Sequence, residues 1–113
     1  MKKLTAVVAL LIALTASGQT VAEGYQRGNT LLTDCKSKVG TYNNGFCTGY
    51  IAGATDAVLH FAADRICKPD KGLNLGQIED IVVKYLDDNP EKRQHTAGTL
   101  VYIALLETFP CPE

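Results

Sequence analysis

The sequence predicts an all-α protein, a small four-helix up-and-down bundle stapled by two disulfides. Three observations lead there. Apolar residues recur at helical spacing in four stretches. Glycine- and proline-bearing breakers separate those stretches. The four cysteines form an even set in a short chain that carries an export signal.

The export signal is the opening MKKLTAVVALLIALTASGQTVA, where Lys2 and Lys3 precede an apolar run from Leu4 to Ala16 and a small, polar stretch follows. The run is too short for a bilayer span, which needs roughly 20 residues, and it has the layout of a cleavable signal peptide. Thr20 and Ala22 suit a cleavage site after Ala22, with the region 16–18 as an alternative. No cysteine follows the apolar run to carry a lipid anchor. Residues 23–113 then form the mature domain, with nine basic and twelve acidic side chains and a net charge of minus 3. That balance disfavours nucleic acid as a partner, and no further segment is long and apolar enough to enter a membrane. Folding at this size hides only about 60 to 70 per cent of the unfolded chain's surface, so one covalently assisted domain is expected.

After a disordered start, Leu31, Leu32 and Cys35 share a helical face, which predicts a first helix over 28–38. Gly40, Asn43, Asn44 and Gly45 then form a turn by composition. A second helix is expected over 46–66, with Cys47, Ile51, Ala54, Val58, Phe61 and Ala62 on its apolar stripe, and Pro69 and Gly72 end it. Asn74 with Gln77 three residues later reads as a capping box, and Leu75, Ile78, Ile81, Val82, Tyr85 and Leu86 follow on one face of a third helix. Asn89 and Pro90 stand in the cap-then-proline order that opens a fourth helix over 90–109. That helix is apolar over most of its circumference, which places it centrally.

Helix geometry constrains the disulfides. On one continuous helix Cys47 and Cys67 would stand roughly 30 Å apart, whereas bridged Cα atoms lie about 5.5 Å apart. An up-and-down bundle brings Cys35 to Cys47 at one end and Cys67 to Cys111 at the other, and these pairs are expected. The spacings contain no CxxC pair of the kind structural zinc sites use.

The second helix carries Gly49, Gly53 and Ala57 at every fourth position, on the side away from the core stripe. Each interior helical glycine costs about 1 kcal/mol relative to alanine, so a close backbone neighbour is expected to compensate. That neighbour is another helix of the same chain, a second copy or a different protein, and self-association along the strip is one expectation.

The segments CTGYIAGATDA, CKP and LGQIEDIVVKYLDDNPEKRQHTAGTLVYIALLETFPCP, behind a signal peptide, resemble the Rap/Tai family of periplasmic immunity proteins. The resemblance rests on Cys47, Gly49 and Tyr50 at a helix start, on the YL..NPE.R break from Tyr85 to Arg93, and on the closing FPCP from Phe109 to Pro112. It implies a small disulfide-linked helical fold, no catalysis, and occlusion of the cleft of a type VI secretion peptidoglycan amidase. Some members also pair with themselves.

The residues themselves offer little chemistry. Asp56, His60 and Asp64 share a helical face but read as a solvated surface rather than a metal site. His95, beside Glu91 and Arg93, has no free thiol to activate once Cys111 is bridged. No GxSxG, HExxH or phosphate-binding glycine loop occurs, so the protein is expected to be no enzyme, to need no cofactor, and to work by contact. Two polar loops are candidates for that contact, residues 68–74 and residues 87–94. The second carries Asp87, Asp88, Asn89, Glu91 and Arg93. Arg93 and Tyr42 are the expected anchors, since aromatic and arginine side chains dominate interface energetics. A small periplasmic acid-stress chaperone is the alternative from a different functional class.

Overall fold

The computed structural model describes residues 24–113, so the signal peptide and its cleavage site lie outside the described residues. Four α-helices follow in order: α1 (Gly28–Cys35), α2 (Tyr42–Phe61), α3 (Leu75–Asp88) and α4 (Ala97–Thr108), with a 3-10 turn (Pro90–Lys92) between the last two. Among the described residues no β-strand forms. Two isolated antiparallel bridge pairs join Arg27 to Thr96 and Ile66 to Pro110.

Thr41 opens α2, its hydroxyl accepting from the Asn44 backbone N–H at 3.3 Å, and Gly40 supplies the positive φ of 88° just before it. The helix therefore begins four residues earlier than composition suggests, with Asn43, Asn44 and Gly45 inside its first turn. It stops at Phe61 rather than 66, because Ile66 turns out to pair with Pro110 and Cys67 N–H donates to the Phe109 carbonyl at 2.8 Å. The expected capping box opens α3: Asn74 and Gln77 satisfy each other's backbone N–H, at 2.9 and 2.8 Å.

The fourth helix differs most from its expectation. Pro90 starts only a three-residue 3-10 turn, and α4 begins at Ala97. The intervening backbone bonds elsewhere: Asn29 N–H donates to the Arg93 carbonyl at 2.9 Å, Gly28 N–H to His95 at 3.0 Å, and Ala97 N–H to the Gln26 carbonyl at 2.8 Å. Carbonyls bonded to α1's entry are diverted from the helical i to i+4 pattern. The same contacts overturn the disordered start, since Gln26 is buried and its side-chain amide donates to Asp34 at 2.9 Å.

Leu31, Ile51, Val82, Leu86, Leu100, Val101 and Leu105 form a fully buried core shared by all four helices. Phe61, expected in that core, is 83% exposed, because α2 ends there and its ring lies across the edge of the His60 ring. Both expected disulfides are present, Cys35 to Cys47 and Cys67 to Cys111. Tyr50 lies beside Gly98 and Ile66 pairs with Pro110, so α2 and α4 run the same way. Thr48 meets Glu79, and α2's later residues line a cleft with the residues that begin α3, so those two helices run oppositely. This is the alternation that an up-and-down bundle requires.

Candidate functional site

The 87–94 connection is held in shape by its neighbours. Asp87 accepts from Lys36 Nζ at 2.6 Å, tying the end of α3 to the end of α1, and Asp88 pairs with Lys84 one turn back. The Asn89 side-chain amide donates to the Tyr85 carbonyl at 2.8 Å, closing α3. Lys92 sits 5.9 Å from the centre of the Tyr85 ring. The Gln94 carbonyl accepts from the Arg27 guanidinium at 2.7 Å. Arg93 is half-buried, and its Nε is shut off from solvent with no hydrogen-bond partner among the described residues. Pro90, Glu91 and Gln94 are exposed. The connection is therefore a buttressed turn rather than a loose loop.

Tyr42 stands 83% exposed at the start of α2. Its ring is 6.4 Å from Phe46, and Phe46 is 6.1 Å from Tyr50. Four-residue spacing sets the three rings in a row on one helical face. Tyr50 is the innermost of them. Burial raises its phenol above the ordinary value of 10.0, against a smaller lowering by the Gly98 backbone. A neutral acid favoured by the fold stays bound to its proton longer in the native state, so stability is lost as pH climbs beyond the unfolded phenol's value. Ultraviolet titration should show a late phenolate that is absent from Tyr50→Phe.

Among the described residues, nothing beyond their own helix backbone lies within 4 Å of where a Cβ would stand at Gly49 or Gly53. No described helix approaches them closely enough to explain them. They floor an open groove of about 440 Å³ that Ala57 and Val58 share with Gly98 of α4. The groove continues past Phe61 toward Tyr102 and Arg65. With open space at both positions, Gly49→Ala and Gly53→Ala should each stabilise the monomer by about 0.5 to 1 kcal/mol in chemical denaturation. A loss of stability instead would mean that these glycines serve this chain's own packing.

All four cysteines are bridged, as befits an oxidising compartment. Asp56, His60 and Asp64 are exposed. The His95 backbone carbonyl accepts from Gly28 N–H. Among the described residues one grouping has metal-ligand character, Cys35, Cys47 and Glu79, and its sulfurs are consumed in a disulfide. Sequence reasoning missed the aromatic row and the exposed Phe61, although the spacing of Tyr42, Phe46 and Tyr50 is visible once α2 is known to start at Tyr42. No described helix is long and apolar enough to cross a membrane.

The described surface thus carries a buttressed polar turn, an exposed aromatic row and an open small-residue groove. No curated protein and no solved structure matches the chain. Residues 27–111, which include all four helices and both disulfides, match the family model of the Rap1a immunity proteins, and the chain belongs to that family.

Proposed function

We propose that the protein is a periplasmic immunity protein that binds a peptidoglycan amidase delivered by type VI secretion and inhibits it by covering its active-site cleft. The observation that carries this reading is the match of residues 27–111 to the Rap1a immunity proteins. The signal-like first 22 residues and the two disulfides accord with a periplasmic site of action.

The 87–94 turn is the proposed plug. Asp87, Asp88 and Asn89 hold its shape, Glu91 faces solvent, and Arg93 is half-buried within it. Tyr42 offers the exposed ring that a partner would bury. A turn already fixed by hydrogen bonds loses little conformational freedom on insertion, which favours binding. Replacing Tyr42 by alanine should weaken binding of the amidase about tenfold or more, with no change in thermal stability.

The groove over Gly49, Gly53 and Ala57 is the proposed face for self-association. A leucine at Gly53 would fill it, so Gly53→Leu should convert any dimer to monomer in sedimentation velocity. An unchanged profile removes this face from the account.

Co-production in the periplasm of a bacterium making the cognate amidase tests the function directly. The intact protein should prevent lysis. Lysis that proceeds regardless, with folded protein present, contradicts an immunity role against that enzyme.

A further inference from the structure

The two sulfurs of the Cys35–Cys47 bridge are not equivalent toward a thiol. Cys47 is fully buried, at 0% exposure, whereas Cys35 is half-buried at the end of α1. A thiolate arriving from solvent therefore attacks Cys35, and the electron pair of the breaking bond departs on Cys47. The environment opposes that departure twice. Burial disfavours a thiolate, and Oε1 of Glu79 lies 3.5 Å from Cys47 Sγ, so a second negative charge would form beside a carboxylate.

Glu79 is held in that position. Its other oxygen accepts from the Thr48 hydroxyl at 3.1 Å. The nearest cation in sequence is turned elsewhere, since Lys36 Nζ bonds Asp87 at 2.6 Å, and Asp34 adds negative charge beside Cys35 while accepting from Gln26. The second bridge differs. Cys67 is exposed, Lys68 follows it directly, and Arg65 lies two residues before it. Among the described residues the cluster of Cys35, Cys47 and Glu79, whose ligand atoms lie within 4.8 Å of one another, has no counterpart around Cys67 and Cys111.

We propose that Glu79 guards the Cys35–Cys47 disulfide against thiol–disulfide exchange, keeping α1 stapled to α2 when dithiol reductants are present. In the exchange, the thiolate of a dithiol forms a new S–S bond to Cys35 as the Cys35–Cys47 bond breaks. Cys47 sulfur takes the electron pair and then a proton from water. The reductant's second thiolate next displaces Cys35, which leaves as a thiolate and is protonated, and the dithiol ends as its own disulfide. Glu79 exchanges no bond; with a carboxylate oxygen within 4.8 Å of both sulfurs, it raises the barrier by disfavouring the charge that must appear on Cys47 and by repelling an anionic thiolate as it reaches Cys35. This inference stands apart from the identity of the amidase.

The test is the rate at which each bridge is lost under dithiothreitol, followed by alkylation and peptide mass analysis. With Glu79→Gln, the Cys35–Cys47 bridge should be reduced about tenfold faster, while Cys67–Cys111 changes by less than about twofold. Thr48→Val, which removes the hydrogen bond but keeps the charge, should retain most of the protection. The gain in Glu79→Gln should be larger for the anionic thiol mercaptoethanesulfonate than for the cationic thiol cysteamine. No acceleration, equal acceleration of both bridges, or a gain indifferent to reductant charge would overturn the proposal. If Glu79→Gln does not fold, the unaltered protein decides. Cysteamine should be favoured over mercaptoethanesulfonate more strongly at Cys35–Cys47 than at Cys67–Cys111, and an equal or reversed preference contradicts the guard.

Discussion

Replacing Cys67 and Cys111 together by alanine should destabilise the protein by about 4 kcal/mol, the loop-entropy value for a bridge closing 44 residues. For a domain of this size that is a large part of a total stability of about 5 to 14 kcal/mol, and it corresponds to melting about 15 to 30 °C lower. The native contacts around the bridge do not need it. Cys67 N–H donates to the Phe109 carbonyl at 2.8 Å and Cys111 N–H to the Arg65 carbonyl at 3.0 Å, both through backbone that the substitutions leave in place. The effect therefore arises in the unfolded chain, which regains the freedom of a loop containing α3 and α4. Thermal unfolding followed by circular dichroism measures it. A fall of less than about 5 °C would mean that the unfolded state already holds these ends together.

Gly28→Val is expected to cost about 3 kcal/mol, at the upper end for overpacking a closed site. A Cβ at position 28 would stand 2.4 Å from Leu100 Cδ1 and 2.9 Å from the Arg93 carbonyl oxygen. Neither neighbour can retreat readily. Leu100 is 1% exposed in the core, and the Arg93 carbonyl is pinned by Asn29 N–H at 2.9 Å. The denaturation midpoint should fall while the slope with denaturant stays the same. Because residues 93–97 brace the proposed plug, amidase binding should weaken in the same variant. Full stability in Gly28→Val would show that the entry of α1 and the turn below α4 are not packed as described.

Most of the fold was legible in local sequence wherever local chemistry decides structure. The capping box at Asn74 and Gln77 and the apolar face from Ile78 to Leu86 needed no tertiary information, and the disulfide pairing followed from helix length together with up-and-down topology. The errors fall where distant segments compete for backbone groups. Asn89 and Pro90 do carry a helix-start signal, but the carbonyls at Arg93 and His95 are taken by α1's first N–H groups, so α4 waits until Ala97. The end of α2 moved back for a similar reason, with Ile66 and Cys67 paired to the tail at Phe109 and Pro110. At the other end of α2, the composition of Asn43, Asn44 and Gly45 predicts a turn, whereas in the fold the Thr41 cap starts the helix ahead of them. Of the residues proposed for contact, Tyr42 is exposed, whereas nothing local marks Asp87 as Lys36's partner or Arg93 as half-buried.

The central claim is contact inhibition of an amidase. Its most direct test is calorimetric titration of oxidised residues 23–113 against a panel of type VI peptidoglycan amidases, with peptidoglycan hydrolysis followed in parallel. The account predicts one enzyme bound with nanomolar affinity, at one-to-one stoichiometry of chains, its hydrolysis abolished. Absence of binding across a panel that includes the amidases of the producing cell, or tight binding that leaves hydrolysis intact, would contradict it.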